Sequence, residues 1–374
     1  MKLSHFELQE KYKSYKARKY FENLNGLRFI CILMVLWHHN QIVTFLGSDL
    51  LDRGFMGVDF FFVLSGFLIT TLLLREEARY GSFSMKNFYL RRIIRIVPVY
   101  FFVVSMVSLY YIIVKGQYHL AELLPFYYLF LSNFLVEHIP LLTITWSLSV
   151  EEQFYVIWPV LLMLLPRDWI IPALSALVVL NVAGGLNING AESPELWPLE
   201  FSLPNSTYAP ILMGAMSAIV LDRRNFFIEI YPFLGRKYSS LFLFFALILT
   251  LQLAPSDVRG WPNLAIHSLM TLIVMSLVVR EDMALTTFLT SRVVARIGSV
   301  SYGIYLYHLI ALDLVNRIFP TGGTVISLFS FVAYVLVAWV ISEVSFRTLE
   351  AFFYRFRPQR KAEQVDPKVL EVSR

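Results

Sequence analysis

The stretch 24–40, LNGLRFICILMVLWHHN, decides the fold, because it is entirely apolar between Arg28 and Trp37. An apolar run of this kind predicts a transmembrane helix. Eleven residues of helix make about three turns plus 20° and rise about 16 Å, so Arg28 and His39 lie on one side, with His38 about 80° away. An ionisable side chain costs roughly 3 kcal/mol inside a bilayer. His39 is therefore either a functional residue or one that hydrogen-bonds a neighbouring helix.

The composition is that of a polytopic membrane protein. Of the 374 residues, 57% are hydrophobic and only 16% are charged, and the mean hydropathy is +0.61. These values exclude an ordinary soluble domain. The single cysteine, Cys31, lies inside the first span, so no disulfide is possible within the chain. The charged N-terminal segment lacks an apolar run followed by a cleavage site, which favours a cytoplasmic tail over a signal peptide.

Ten apolar runs are candidates for crossing the roughly 30 Å of bilayer hydrocarbon, and the runs 152–166 and 207–221 are the short ones among them. They fall near residues 27–46, 55–74, 96–114, 152–166, 169–186, 207–221, 239–254, 261–279, 299–319 and 324–345. A further run, 120–136, contains Pro125 and has polar flanks, which favours an interfacial or re-entrant segment over an eleventh span. We therefore expect an all-α bundle of about ten transmembrane helices, embedded in the lipid bilayer of the plasma (inner) membrane.

The distribution of basic residues predicts that both termini are cytoplasmic. With ten crossings and the N-terminus inside, 28 of the 32 Lys and Arg residues fall on the cytoplasmic side. This asymmetry follows the positive-inside rule, and an extra crossing at 120–136 would disturb it. The net charge of +5 thus reflects membrane orientation, and no nucleic-acid partner is expected. The chain divides into a tail at 1–22, one membrane domain at 23–346 and a basic tail at 347–374.

A basic motif follows the second span. In FYLRRIIRIVPVYFF, Arg92 and Arg95 are three residues apart and share a helix face, whereas Arg91 is turned away. Arg92 and Arg95 lie at the same membrane edge as Arg28. The motif is either a positive-inside stop signal or, together with Arg28, a phosphate clamp, because guanidinium forks bind phosphate bidentately.

Three carboxylates are candidates for chemistry. Asp59 lies near the start of the second span, where it is either a functional residue or one stabilised by the helix dipole. Glu151 and Glu152 are expected at the outer mouth of the fourth span, in TITWSLSVEEQFYVIWP, and Ser149 with Glu152 also fits a capping box. Adjacent side chains on a helix diverge by about 100°, so at most one of the two glutamates is expected to point into the bundle.

Two further motifs concern packing. In GVDFFFVLSGFLIT, Ser65 and Gly66 lie at mid-span, and Gly66 is interpreted as a site where a neighbouring helix approaches closely. In SVSYGIYLYHLIALDLV, His308 lies near mid-depth, like His39. His308 is interpreted as a structural residue that bonds a neighbouring helix.

Five stretches, in this order, resemble the acyltransferase-3 family of integral membrane acyltransferases: LNGLRFICILMVLWHH, GVDFFFVLSGFLIT, RRIIRIVPVY, TWSLSVEEQFYVIWP and SYGIYLYHLI. The resemblance runs over about residues 22–345. The family's Arg and His, separated by ten residues, fall on Arg28 and His39, and its Arg-x-x-Arg pair falls on Arg92 and Arg95. Many relatives carry an appended extracytoplasmic hydrolase-like domain, and the resemblance here is to the stand-alone form.

The resemblance implies transfer of an acyl group, usually acetyl, from cytoplasmic acyl-CoA to a hydroxyl of a glycan or lipid-linked sugar. Acyl-CoA, above all acetyl-CoA, would be a co-substrate, with no tightly bound cofactor and no metal. The CoA phosphates would lie at the three arginines, with the thioester roughly 15 Å further in at His39. His39 would act as a base or accept the acyl group transiently. Asp59 or Glu152 would orient His39 or receive the sugar.

Two alternatives belong to other classes. A transporter or flippase for a lipid-linked sugar would use the buried charges to line a passage, but no repeats or helix pairs broken by Gly or Pro are evident. A purely structural membrane partner would not need His39 in line with Arg28. Consumption of acyl-CoA with ester formation distinguishes the enzyme from both.

Overall fold

The computed structural model describes residues 4–40, 52–185, 195–196, 198–200, 208–255, 258, 260–319 and 324–358. The helices are α1 (His5–Ala17), α2 (Asn23–His39), α3 (Met56–Tyr80), α4 (Met85–Leu109), α5 (Leu124–Tyr128), α6 (Thr145–Leu164), α7 (Arg167–Gly185), α8 (Ala209–Asp222), α9 (Arg224–Leu234), α10 (Ser239–Leu253), α11 (Trp261–Val279), α12 (Thr286–Leu289), α13 (Arg292–Ser299), α14 (Ser301–Ile318), α15 (Thr324–Ser345) and α16 (Ala351–Tyr354). Two two-residue strands, β1 (Glu195–Leu196) and β2 (Leu199–Glu200), pair antiparallel.

Each of the ten predicted spans falls on a helix, namely α2, α3, α4, α6, α7, α8, α10, α11, α14 and α15. The end of the first predicted span, beyond residue 40, lies outside the described residues. Within the described ranges, four helical stretches are long and apolar enough to cross a membrane alone, or six if each of two bent pairs counts as one span. The class of an all-α membrane protein is confirmed, and the count of ten crossings stays a prediction.

The segment after α4 is folded into short turns. It comprises 3₁₀ turns at Tyr118–Leu123 and Ser132–Phe134 around the five-residue α5, so no helix in it is long enough to span a bilayer. Phe130 adopts a left-handed backbone, with φ of 55°, and stacks on Tyr100 of α4 with ring centroids 4.5 Å apart. This arrangement agrees with the interfacial or re-entrant interpretation of residues 120–136.

Helices α3 and α8 cross at two glycines. A Cβ atom at Gly66 would collide with the carbonyl oxygen of Ile211, and one at Gly214 would collide with the carbonyl oxygen of Val63. Glycine at both positions lets the two backbones touch. The predicted packing role of Gly66 is confirmed, and the crossing fixes the placement of Ser65 on the adjacent position of α3.

Two helix pairs are sharply bent, by 76° between α9 and α10 and by 76° between α13 and α14. The expectation that no helix pair is broken by Gly or Pro is contradicted at the first bend, which contains Gly235, whereas the second bend, at Val300, contains neither residue type. Gly298, near the end of α13, lies so close to the carbonyl group of Asn25 that no side chain would fit there. The close contact with α2 holds α13 across the end of the bundle before α14 turns into it.

Candidate active site

A cavity of about 330 Å³ lies among α2, α3, α4, α6 and α14. Along α3 its lining runs from Arg75 to Val58, a distance of about 25 Å on a helix. We call the end at Arg75 the inner end, since the charge pattern predicts that it is cytoplasmic, and the end at Val58 the outer end. Exposed Lys19, Tyr20 and Arg357 border the inner end.

The cavity is strongly cationic. Among the described residues, six basic and two acidic side chains line it: Lys19, Arg28, Arg75, Arg92, Arg95, Arg357, Glu151 and Glu152. The three arginines predicted to act together thus share one space. In the part of the chain that the structure describes, no carboxylate forms an ion pair with Arg28, Arg92 or Arg95. Their charges are available to an anionic ligand.

Two aromatic rings lie near the guanidinium group of Arg92, and one of its nitrogens has no partner in the described structure. Its guanidinium carbon lies 5.9 Å from the ring centroids of both Phe88 and Tyr155. Its Nε atom is buried without a hydrogen-bond partner in the described structure. The neighbouring Arg91 instead donates to Glu76 Oε2 at 2.8 Å and does not line the cavity, so Arg91 is turned away as predicted.

Both glutamates of α6 face this cavity, which corrects two sequence-based predictions. They do not lie at the outer mouth, and more than one points into the bundle. The lining positions from Ser147 to Tyr155 cover about 140° of the circumference of α6, which is wide enough for two adjacent side chains. Glu151 Oε1 accepts a hydrogen bond from Ser65 Oγ at 2.7 Å, and its Oε2 accepts one from Tyr155 at 3.4 Å.

The capping box predicted for Ser149 and Glu152 is also wrong. Helix α6 begins four residues earlier, at Thr145, so Ser149 lies inside the helix. Its Oγ is 2.8 Å from Ser132 Oγ, a contact that joins α6 to the segment after α4. The four residues that precede Ser149 already belong to the helix, and a capping pattern based on spacing alone does not reveal this.

His39 lies beyond the outer end of the cavity, against His308 of α14. The ring centroids are 4.8 Å apart. His39 Nδ1 is 3.0 Å from the carbonyl oxygen of Val35, and His308 Nδ1 is 2.6 Å from that of Tyr305. A carbonyl only accepts, so Nδ1 carries the hydrogen in both neutral rings and Nε2 holds the lone pair. His308 is buried, and its Nε2 has no partner in the described structure.

His308 therefore does not make the bond to a neighbouring helix that the sequence suggested. Its hydrogen bond stays within α14, and the contact across helices is the ring of His39. The sequence signal was an ionisable residue at the same estimated depth as His39. That signal placed the two rings at one level of the bundle but gave no indication that α2 and α14 are neighbours.

Asp59 is separate from both groups. Its Oδ2 lies 3.0 Å from Nε2 of His267 on α11, and His267 is 1% exposed. No hydrogen bond joins Asp59 to His39 in the described structure, and neither residue is among those that line the cavity. His267 was missed from the sequence, although an ionisable residue in the apolar run of α11 was a signal. No cluster of metal-ligating side chains occurs within the described residues.

The helical bundle thus holds a cationic cavity and, beyond its outer end, a pair of histidines in ring contact. The chain belongs to the acyltransferase-3 family, whose model, described as an acyltransferase domain, matches residues 21–343. No solved structure matches it.

Two curated relatives are O-acetyltransferases OatA of Staphylococcus aureus. The chain is 25% identical to that of strain MRSA252, covering 94% of this chain and 61% of the relative. It is also 25% identical to that of strain NCTC 8325, covering 90% of this chain and 58% of the relative. The chain thus spans about three fifths of the length of these relatives.

Proposed function

We propose that this protein is a membrane O-acyltransferase, and that it moves an acyl group, most often acetyl, from cytoplasmic acyl-CoA to a hydroxyl of a cell-surface glycan or lipid-linked sugar. Membership of the family and the O-acetyltransferase activity in the names of its relatives support the reaction class. The observation that carries the donor is the shared cavity of Arg28, Arg92 and Arg95. An unpaired arginine cluster in a membrane bundle calls for a ligand with several negative charges.

The proposed topology has ten crossings, with both termini in the cytoplasm, in the plasma membrane. Contacts near the ends of the helices support this topology. Residues that are predicted to lie on the same side of the membrane contact one another. The inner pairs are Lys16–Asp222 and Arg167–Glu77, and the outer pairs are Arg53–Ala254 and Arg317–Tyr110. This topology would open the basic end of the cavity to the cytoplasm, where acyl-CoA is found.

The donor would lie along the cavity in one direction. The lining changes from basic at the inner end to polar around Ser65 and Glu151, and then to apolar at Val58, Phe62 and Leu148. An acyl-CoA has the same order of properties, with phosphates at one end, an amide-containing arm and an acyl tail. We therefore propose that the phosphates bind the arginines and the thioester lies near the outer end.

The transfer step would use His39 as a base. The acceptor hydroxyl gives its proton to His39 Nε2 while its oxygen bonds to the thioester carbonyl carbon. The carbon–sulfur bond then breaks, and His39 gives this proton to the departing CoA thiolate. The hydrogen bond from Nδ1 to the carbonyl of Val35 holds the tautomer in which Nε2 is free to accept. Asp59 is proposed to bind the acceptor, since it lies away from the donor cavity. Glu152, which lines that cavity, is proposed to contact the donor.

Calorimetric titration of the full-length protein in lipid nanodiscs tests the donor. We expect acetyl-CoA and CoA to bind, and pantetheine, which lacks the nucleotide phosphates, to bind much more weakly. Raising the salt concentration should weaken the binding of CoA but not that of pantetheine, because salt screens charge. Equal binding of CoA and pantetheine, or no binding of CoA, would refute the proposed donor site.

The bend between α13 and α14 favours a second candidate, a transporter or flippase. Broken helices line substrate passages in many transporters, and Ser299 and Ser301, on either side of this bend, line the cavity. Inside-out membrane vesicles with acetyl-labelled acetyl-CoA distinguish the two. An acyltransferase transfers label into base-labile ester and releases the CoA thiol, whereas a flippase does neither.

A further inference from the structure

Tyr305 of α14 borders the outer end of the cavity. Tyr305 is the last residue of α14, counted from the inner end, that lines the cavity, and His308 follows it by one turn. The Tyr305 hydroxyl lies 3.0 Å from the carbonyl oxygen of Ile144 and 2.7 Å from Ser147 Oγ. Its ring centroid lies 5.5 Å from that of His308. The ring of Tyr305 thus covers His308, whereas no ring contact joins Tyr305 to His39 within the described structure.

The surroundings of Tyr305 are apolar and tightly packed. Val58, Phe62 and Leu148 line the same end and are 8%, 1% and 6% exposed. Tyr305 and Ser147 each have one hydroxyl hydrogen to donate, either to the other hydroxyl or to the carbonyl oxygen of Ile144. Among the described residues at this end, both hydroxyl hydrogens are used within this trio, and the apolar lining suits hydrocarbon atoms of a ligand.

We propose that Tyr305 sets the length of the acyl group that the donor cavity accepts, admitting acetyl and similarly short groups. This rests on the proposed acyl-CoA donor. A longer chain would have to displace the ring, which breaks buried hydrogen bonds to α6. It would also push the ring against His308, which is fully buried. Packed interiors resist extra methylene groups strongly.

The test compares the affinities of acetyl-CoA and octanoyl-CoA for the full-length protein in nanodiscs, with CoA as reference. We expect the unchanged protein to bind octanoyl-CoA more weakly than acetyl-CoA, by a factor of about ten or greater. Tyr305→Ala should remove most of that difference. Tyr305→Phe retains the ring and should keep a large part of it.

Tyr302→Ala is the matched control, because Tyr302 lines the cavity one turn closer to the inner end and bonds the carbonyl of Ile96. It should leave the ratio of the two affinities unchanged. If Tyr305→Ala does not fold, Tyr305→Leu is used in its place. The preference of the unchanged protein for acetyl-CoA over octanoyl-CoA is measured in any case. Equal affinities in the unchanged protein, or an unaltered ratio in a folded Tyr305 variant, overturn the proposal while the acyl-CoA donor stands. If CoA itself fails to bind, both are overturned.

Discussion

The imidazole rings of His39 and His308 are in edge-to-face contact, although one lies in the first long helix and the other near the far end of the chain. Because a backbone carbonyl holds each Nδ1, both rings have their Nε2 available for a proton. Two like charges at this separation would repel strongly away from water. We therefore expect the pair to hold no more than one added proton. One proton is what a general base accepts and then returns in each reaction cycle.

Replacing His39 with Ala should abolish acyl transfer, because a general base contributes roughly 10²–10⁴-fold to the rate. His38→Ala is the control, since the helical spacing turns His38 away from the line of Arg28 and His39. O-acetyl content and release of the CoA thiol are measured at matched membrane levels. An inactive His38→Ala beside an active His39→Ala would reverse the assignment.

Replacing His308 with Ala should lower the turnover rate without weakening donor binding, because His308 touches His39 but does not line the cavity. A loss on the order of 10²-fold is expected if His308 positions the ring of His39. Turnover and the donor KM are measured separately, with thermal stability as a check on folding. A raised donor KM with unchanged turnover would place His308 in donor binding instead.

Replacing both Arg92 and Arg95 with Lys should raise the donor KM about tenfold, since Lys keeps the charge but loses the bidentate fork. The acceptor KM should change much less. Arg91→Lys is the matched control, because Arg91 pairs with Glu76 and lies outside the cavity. Unchanged donor kinetics in the double variant would leave these arginines as a stop-transfer signal, which depends on charge alone.

Replacing Gly66 with Ala should destabilise the protein by about 1–3 kcal/mol or more, because the added methyl group collides with the backbone of α8. Gly303→Ala is a milder comparison, as its Cβ would lie 3.2 Å from the Cβ of Ser342, which is a much smaller overlap than at Gly66. Thermal unfolding followed by size-exclusion chromatography measures both. Equal stability of the two variants would show that the crossing of α3 and α8 is less tight than described.

Labelling of introduced cysteines in intact cells should place both termini inside. With an impermeant maleimide, Lys115→Cys should react, whereas Lys13→Cys and Ser373→Cys should react only after permeabilisation. The native Cys31 is fully buried and is expected to stay silent. Reaction of Ser373→Cys in intact cells would indicate an odd number of crossings, and 120–136 would be the first segment to re-examine.

The sequence predicts the helices well because long apolar runs leave few alternatives in a membrane. It also places Arg28, Arg92 and Arg95 at one membrane level, and helical spacing puts Arg92 and Arg95 on one helix face. It fails where the answer depends on which helices are neighbours. The contact of His39 with His308 and the pairing of Asp59 with His267 join segments that are remote in sequence, and no periodicity reports such pairs.

The depth of Glu151 and Glu152 illustrates a second limit. Their placement was tied to where the fourth apolar run begins, but α6 starts earlier, at Thr145, and its first turns pack against the folded segment after α4. When only hydropathy is considered, polar residues in the first turns of a helix suggest that this end of the helix is exposed to solvent. Here the polar residues are satisfied by one another inside the bundle.

The composition of the cavity wall has a consequence for biosynthesis. Arg28 belongs to the first long helix to leave the ribosome, whereas Ser301 and Arg357, which share its cavity, are made near the end of translation. At about 5–20 residues per second, the interval is on the order of tens of seconds. Throughout that time the arginines of α2 and α4 stand in the membrane without the wall that α14 supplies. Until the last helices arrive, water and lipid headgroups at the membrane edge, and not the finished cavity wall, surround these charges.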